Sequence, residues 1–342
     1  MSLDTLLLIV GVAIAWLTLR DVFDTVVVPG GSRASLRVTR RVGHVYLTLW
    51  KHLRRRPGIS GSFAPLVLVT SFLVWMVLLT LGFGTMTYAV RAEFAPPIHT
   101  FGDAFYEAGS AIVTVGLSPR SPVGVGRWVI LAAGFCGLAV FTMAVTYLLE
   151  VQSSVTRRDT GIIKLNTSAG NPPSALALLE RFGAIRFREH VADVLEDGRN
   201  WCATVRQSHL SHPSLIFFQS VSTGAGWPAA LGALLDLALF TEHLIDDDRL
   251  YGPAVLLRDE GSLMAKELSL ITRVKRISEV TDQNLLRTVA ARITAAGYKV
   301  REKPDFAEMA RQRAEYAGAT DALADYLGKP KAPLLGRPVD AR

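Results

Sequence analysis

Cysteine is almost absent: 342 residues contain two, Cys136 and Cys202. One falls in an apolar run and the other in a polar segment, which excludes the disulfide framework of small secreted domains. Charge is also scarce, at 20% of residues against 50% hydrophobic, and mean hydropathy is +0.29. Three stretches carry no charge at all: Thr5 to Leu19, Pro57 to Val90 and Trp128 to Leu149. An ordinary soluble protein is excluded by these runs. A hydrocarbon core of roughly 30 Å takes about 20 apolar helical residues, so the second and third runs suffice and the first is marginal. Enzyme signatures are missing too. There is no nucleophile elbow, zinc-protease motif, phosphate loop or Cys-x-x-Cys, so an enzyme reading has no residue to rest on.

What charge there is lies unevenly. The net charge of +7 is concentrated between Arg20 and Ser62, where 9 Lys/Arg face 2 acids. From Arg91 to Arg127 the count is 3 against 3, and from Glu150 onward 25 against 24. A basic excess confined to one loop between two apolar segments is a topology signal rather than a nucleic-acid footprint. It places that loop and everything after Glu150 in the cytoplasm, with the N-terminus and the segment between the second and third spans outside. The leading Ser2-Leu3-Asp4 lacks a basic n-region and no small-x-small site precedes Arg20, so the first segment reads as an anchor rather than a cleaved signal peptide. Within the basic loop, Ala34 to Leu53 has an approximate helical spacing of Leu36, Val42, Val45, Tyr46, Leu49, Trp50 and Leu53. The expectation is an interfacial amphipathic helix on anionic lipid, with Arg54-Arg55-Arg56 anchoring the second span.

Between the second and third spans, Phe101 to Val113 is helix-compatible and leads into Thr114-Val115-Gly116-Leu117-Ser118-Pro119. The charge-free part, Ala108 to Pro119, has 12 residues, too few to cross. An apolar segment of that length between spans predicts a re-entrant helix and loop. Non-helical backbone at membrane depth needs its carbonyls satisfied, and permeating cations do this where the loop lines a pore. Thr114 adds a hydroxyl oxygen, and Gly116 permits the positive φ that turns carbonyls toward one axis. The helix before the loop directs its partly negative end toward a cation.

This layout resembles the two-transmembrane pore module of the potassium channel superfamily, with one additional N-terminal span, over about residues 63 to 150. The Thr-Val-Gly-Tyr-Gly-Asp signature of those channels is matched at Thr114, Val115 and Gly116, whereas Leu117, Ser118 and Pro119 replace the aromatic, the second glycine and the acid. Serine resists the backbone angles of the glycine it replaces, which bears on potassium selectivity. The loop also resembles the degenerate filters of Trk and Ktr potassium-uptake subunits, in a pattern carried here by Glu107, Ser110, Ala111, Thr114, Val115, Gly116, Leu117 and Ser118. Those subunits carry four loops per chain and this one carries one, so the resemblance implies a homotetramer. It further implies an ion-binding filter at Thr114, Val115, Gly116 and Leu117. Glu107 and Ser110 become candidate braces behind it, and Gly134 and Gly137 a candidate gating hinge. Small-residue packing is the preferred reading of those two glycines. No metal or cofactor beyond permeant potassium is implied.

After Glu150 the chain turns polar. Helical patterns run near Ser174 to Phe182, Phe187 to Ser208, Trp227 to Ile245, Ala254 to Thr272, Asp282 to Ala296 and Asp305 to Ala317, with breakers such as Tyr251-Gly-Pro between them. The expectation is an all-α cytoplasmic bundle. Ser208 to Ser220, Trp227 and Leu234-Leu-Asp236 resemble the tail of a bacterial group of two-pore-type potassium channel proteins. Gly224-Ala-Gly226-Trp-Pro-Ala229 imitates a nucleotide loop but lacks flanking β alternation. His209 and His212 with Asp246 to Asp248 read as capping or solvated residues before metal ligands. Ala229 to Ile245 contains Asp236, Glu242 and His243 and reads as a bundle helix rather than a fourth span.

The sequence therefore predicts an all-α membrane protein in three parts. Residues 1–62 hold a transmembrane helix and a basic interfacial segment, 63–150 a pore domain, and 151–342 an α-helical cytoplasmic domain. The expected function is a tetrameric potassium or monovalent-cation channel in the bacterial inner membrane, with lipid and a second copy as partners. The alternative is a membrane-anchored sensor or scaffold whose pore no longer conducts.

Overall fold

A computed structural model describes residues 2–28, 38, 41–43, 45–46, 63–219, 221–275 and 280–336. The described residues are almost entirely helical, and three helices are long and apolar enough to cross a membrane. The chain forms two compact units, which divide the described residues at Gln152 and Ser153.

In the first unit, α1 (Leu3–Val26) begins at Ser2, whose hydroxyl accepts the Thr5 N–H at 3.2 Å. The helix continues past the charges that end the first apolar run, so its 24 residues exceed the length at which spanning is marginal. Helix α2 (Phe63–Ala89) is apolar all round. The two cross closely because both are glycine at the contact: a Cβ on Gly11 would lie 2.6 Å from the Gly82 carbonyl. Asp21 is fully buried and accepts the Trp75 indole N–H at 2.9 Å and the Val38 N–H at 3.2 Å, which meets the cost of burying a carboxylate. At the opposite end of the pair, Arg91 meets Asp4.

Two short strands, β1 (Phe94–Ala95) and β2 (Ser121–Pro122), pair antiparallel and fasten together the feet of the segment between them. That segment contains α3 (Phe101–Ile112), started by the Thr100 hydroxyl accepting the Asp103 N–H at 3.1 Å. Its buried face, Ala104, Glu107, Ala108 and Ile112, follows the i, i+3, i+4 spacing. Ala108 and Ile112 join Trp75, Leu79, Phe83, Val129, Ala133 and Val140 in one core.

Helix α4 (Gly124–Ala169) is longer than its apolar run predicts. It continues for 46 residues because nothing between Glu150 and Ala169 stops a helix: no proline occurs there, and the one glycine, Gly161, is tolerated.

The second unit arranges the rest of α4 with α5 (Ala175–Ala184), α6 (Val191–Ser211), α7 (Gly226–His243), α8 (Asp248–Thr272), α9 (Gln283–Ala295) and α10 (Phe306–Leu327). Helix α7 is buried from Gly226 to Glu242 and packs against α5, α6, α8 and α10. Its Asp236, 2% exposed, is bound by Arg313 (Nε 2.8 Å, Nη2 3.2 Å) and by the Tyr316 hydroxyl (2.7 Å). Beside it Glu242 takes both oxygens to Arg258, at 2.5 and 2.6 Å.

The expected break at Tyr251-Gly-Pro does not occur. Helix α8 already starts at Asp248, where the Asp247 side chain accepts the Arg249 N–H at 3.0 Å, and Pro253 sits inside it. As the sixth residue of the helix Pro253 forfeits the bond its N–H would make to the Arg249 carbonyl, and the buried Leu250, Ala254 and Leu257 on either side hold the helix through it. Helix α10 runs ten residues beyond its expected end at Ala317, to the left-handed Gly328. The expected Ala34 to Leu53 helix lies largely outside the described residues, of which 38, 41–43 and 45–46 are helical. Arg54 to Arg56 lies wholly outside them.

Candidate functional site

The loop after α3 leaves the helix abruptly. Val113 caps α3 with φ −85°, then Thr114 takes φ +59° and Gly116 φ +66°, while Val115 between them is not positive. Glycine adopts that region freely, but a threonine there is an outlier that its surroundings must hold. The holding contacts are local. Thr114 N–H donates to Ala111 O at 3.0 Å, and the Val115 and Gly116 N–H groups both reach Ser110 O, at 3.0 and 3.2 Å. The Ser110 hydroxyl bonds the far end, donating to Leu117 O at 3.1 Å. Thus Ala111 holds the near end of 114–117, and one serine ties its middle and far end to α3.

Arg120 closes the turn beyond. Its N–H donates to the Ser118 hydroxyl, which in turn donates to Arg120 O, both at 2.9 Å. Its guanidinium reaches back to α3, to Asp103 at 3.2 Å and to the buried Glu107 at 3.4 Å. Glu107 and Ser110 are therefore brought together with the loop. Sequence reasoning missed Arg120 and Asp103. The available signal was that Arg120 is the one cation between Arg91 and Arg127, facing two acids one helical turn apart.

Every residue from Val113 to Pro119 is exposed on the single chain, including Val115 at 56% and Leu117 at 63%. A Cβ on Gly116 would meet nothing within 4 Å. On the other side of α3, Gly137 of α4 lies against the end of the helix: a Cβ there would be 2.1 Å from Ile112 O. Gly134 is looser, at 3.4 Å from Ala111 O. Helix α4 runs unbroken through both glycines.

The tail motifs resolve differently. Residues 213–217, before the Gly-x-Gly-x-x-Ala run, form a 3₁₀ turn rather than a strand. His209 is buried, with Nδ1 2.8 Å from Val205 O, and burial with nearby Arg158 lowers its pKa to about 3. His212 caps α6, Asp247 caps α8 and Asp246 pairs with Lys299. Cys136 and Cys202 are both free.

Residues 75–153, from α2 through the loop to just past the apolar part of α4, match the family model described as ion channel. No curated protein and no solved structure matches the chain. The matched segment has the layout of an ion-channel domain, two apolar helices flanking a short helix and an exposed loop, and supports a multi-pass membrane protein with channel function.

Proposed function

We propose that four copies of this chain form a potassium or monovalent-cation channel whose filter is the backbone of Thr114, Val115, Gly116 and Leu117. The observation that carries this reading is the alternation of φ sign from Val113 to Gly116. An extended strand points successive carbonyls to opposite sides; alternating handedness instead favours one side, as a ring of oxygens around an ion requires. A single loop cannot enclose a path, and four around an axis would also bury Val115 and Leu117. Ser110, Glu107 and Arg120 are then positioning residues. The basic loop puts the N-terminus and the filter's mouth outside and the tail in the cytoplasm of a bacterial inner membrane, with residues 20–62 on anionic lipid.

Purified protein in liposomes should pass potassium, and Gly116→Val, which opposes the positive φ and narrows the path, should abolish flux while the tetramer persists by cross-linking. Unchanged flux in that variant would remove the loop from the conduction path. A second reading, a non-conducting membrane scaffold, is favoured by Ser118, whose side chain closes a turn where the channel signature has glycine. Absence of any cation flux from the wild-type tetramer would select it.

A further inference from the structure

Helix α7 starts inside its unit rather than at the surface. Gly226 and Trp227 are both buried. The first N–H groups of a helix lack intrahelical partners and carry partial positive charge. Ala225 at the N-cap supplies no side-chain acceptor for them. Beside this end lies a cavity of about 10 Å³, enough for one water-sized centre, lined by Arg158, Gln219, Thr223, Gly226, Trp227 and Lys329 among others.

Donors and positive charge dominate its wall. The Trp227 indole Nε1 is buried and has no partner among the described residues. Lys329 donates to Gly224 O at 3.3 Å, and burial together with Arg158 outweighs the opposing pull of Asp159 and holds its amine below the usual lysine range. Arg158, 2% exposed, also lines the cavity and gives three of its five N–H groups to Asp159 (2.9 Å), Leu215 O (3.1 Å) and Phe218 O (2.9 Å). Gln219 gives its amide nitrogen to Leu327 O at 3.2 Å and keeps an amide oxygen. Water placed here must find acceptors for two protons, whereas an anion only accepts, which suits an indole N–H, an ammonium and a helix N-terminus.

We infer that this cavity binds one monatomic halide, chloride under cellular conditions, held by the Trp227 N–H, the α7 N-terminus and the Lys329 ammonium. The ion supplies the acceptor that the buried Trp227 N–H lacks, and it joins the start of α7 to the chain beyond α10.

The full-length protein in detergent and potassium gluconate is titrated with chloride, then bromide, at constant ionic strength while thermal unfolding is followed. A saturable rise in Tm that gluconate does not produce is expected. Lys329→Met, at a half-buried position beyond the end of α10, should weaken the halide Kd roughly tenfold or more, the loss of one charge-assisted hydrogen bond, and Lys329→Arg should keep it. Trp227→Phe should act like Lys329→Met. Crystals grown in bromide should show an anomalous peak between Trp227 and Lys329. Equal unfolding in chloride and gluconate, or a halide response unchanged in Lys329→Met, would overturn the site. Should Trp227→Phe fail to fold, the lysine pair and the bromide peak still decide.

Discussion

The Ser110 hydroxyl donates to the Leu117 carbonyl at 3.1 Å, while the Ser110 carbonyl accepts from Val115 and Gly116. One residue of α3 therefore fixes the middle and the far end of the candidate filter, and its side chain is the half that can be removed without touching the backbone. Ser110→Ala should cost the loop about 1 kcal/mol and lower potassium flux several-fold or blunt its preference over sodium. Ser110→Thr, which keeps the hydroxyl, should restore most of both. Liposome flux in the two cations checks this.

Gly137 and Gly134 separate packing from hinging. An added methyl at Gly137 collides with the Ile112 carbonyl, whereas at Gly134 it finds ordinary contact. Gly137→Ala should therefore displace α3, reducing tetramer yield and flux together, and Gly134→Ala should leave both near wild type. A Gly134→Ala channel that assembles normally but rarely opens in single-channel recording would instead make that glycine a hinge.

In the tail, Asp236 is the counter-charge of a deeply placed arginine. Asp236→Ala removes the bonded counter-charge of the half-buried Arg313 and should destabilise the tail by about 3 kcal/mol. Replacing the pair together, Asp236→Leu with Arg313→Met, should recover most of that loss. Denaturant unfolding of the full chain, followed by far-ultraviolet circular dichroism, measures both variants.

His209 makes stability depend on pH in a definite direction. Its folded pKa is lowered to about 3 from an ordinary 6.5, by burial first and Arg158 second. Below pH 6.5 the unfolded chain binds a proton there that the folded chain refuses, so this residue removes stability as pH falls from 6.5 toward 3. The loss approaches about 1.4 kcal/mol per pH unit for one proton. His209→Gln should flatten the slope of Tm against pH between 6 and 4.5 relative to wild type. An unaltered slope would show that His209 titrates normally in the fold.

The spans, α3 and the break at Val113 were legible in the sequence because each depends on local composition: a charge-free run, a helix-length limit and a glycine. The helical tail was legible for the same reason, with errors where a local stop signal was overruled or missing. Pro253 is carried inside α8 behind the Asp247 cap, and α4 continues for lack of any breaker after Glu150. Only the tertiary structure decided who pairs with whom. Trp75 meets Asp21 across 54 positions and Arg313 meets Asp236 across 77. Arg120 folds back on Asp103 and Glu107 because the β1–β2 ladder brings the loop's end beside α3. Such pairings are set by the desolvation of charges in a packed interior, a non-local quantity that does not exist until the helices have met.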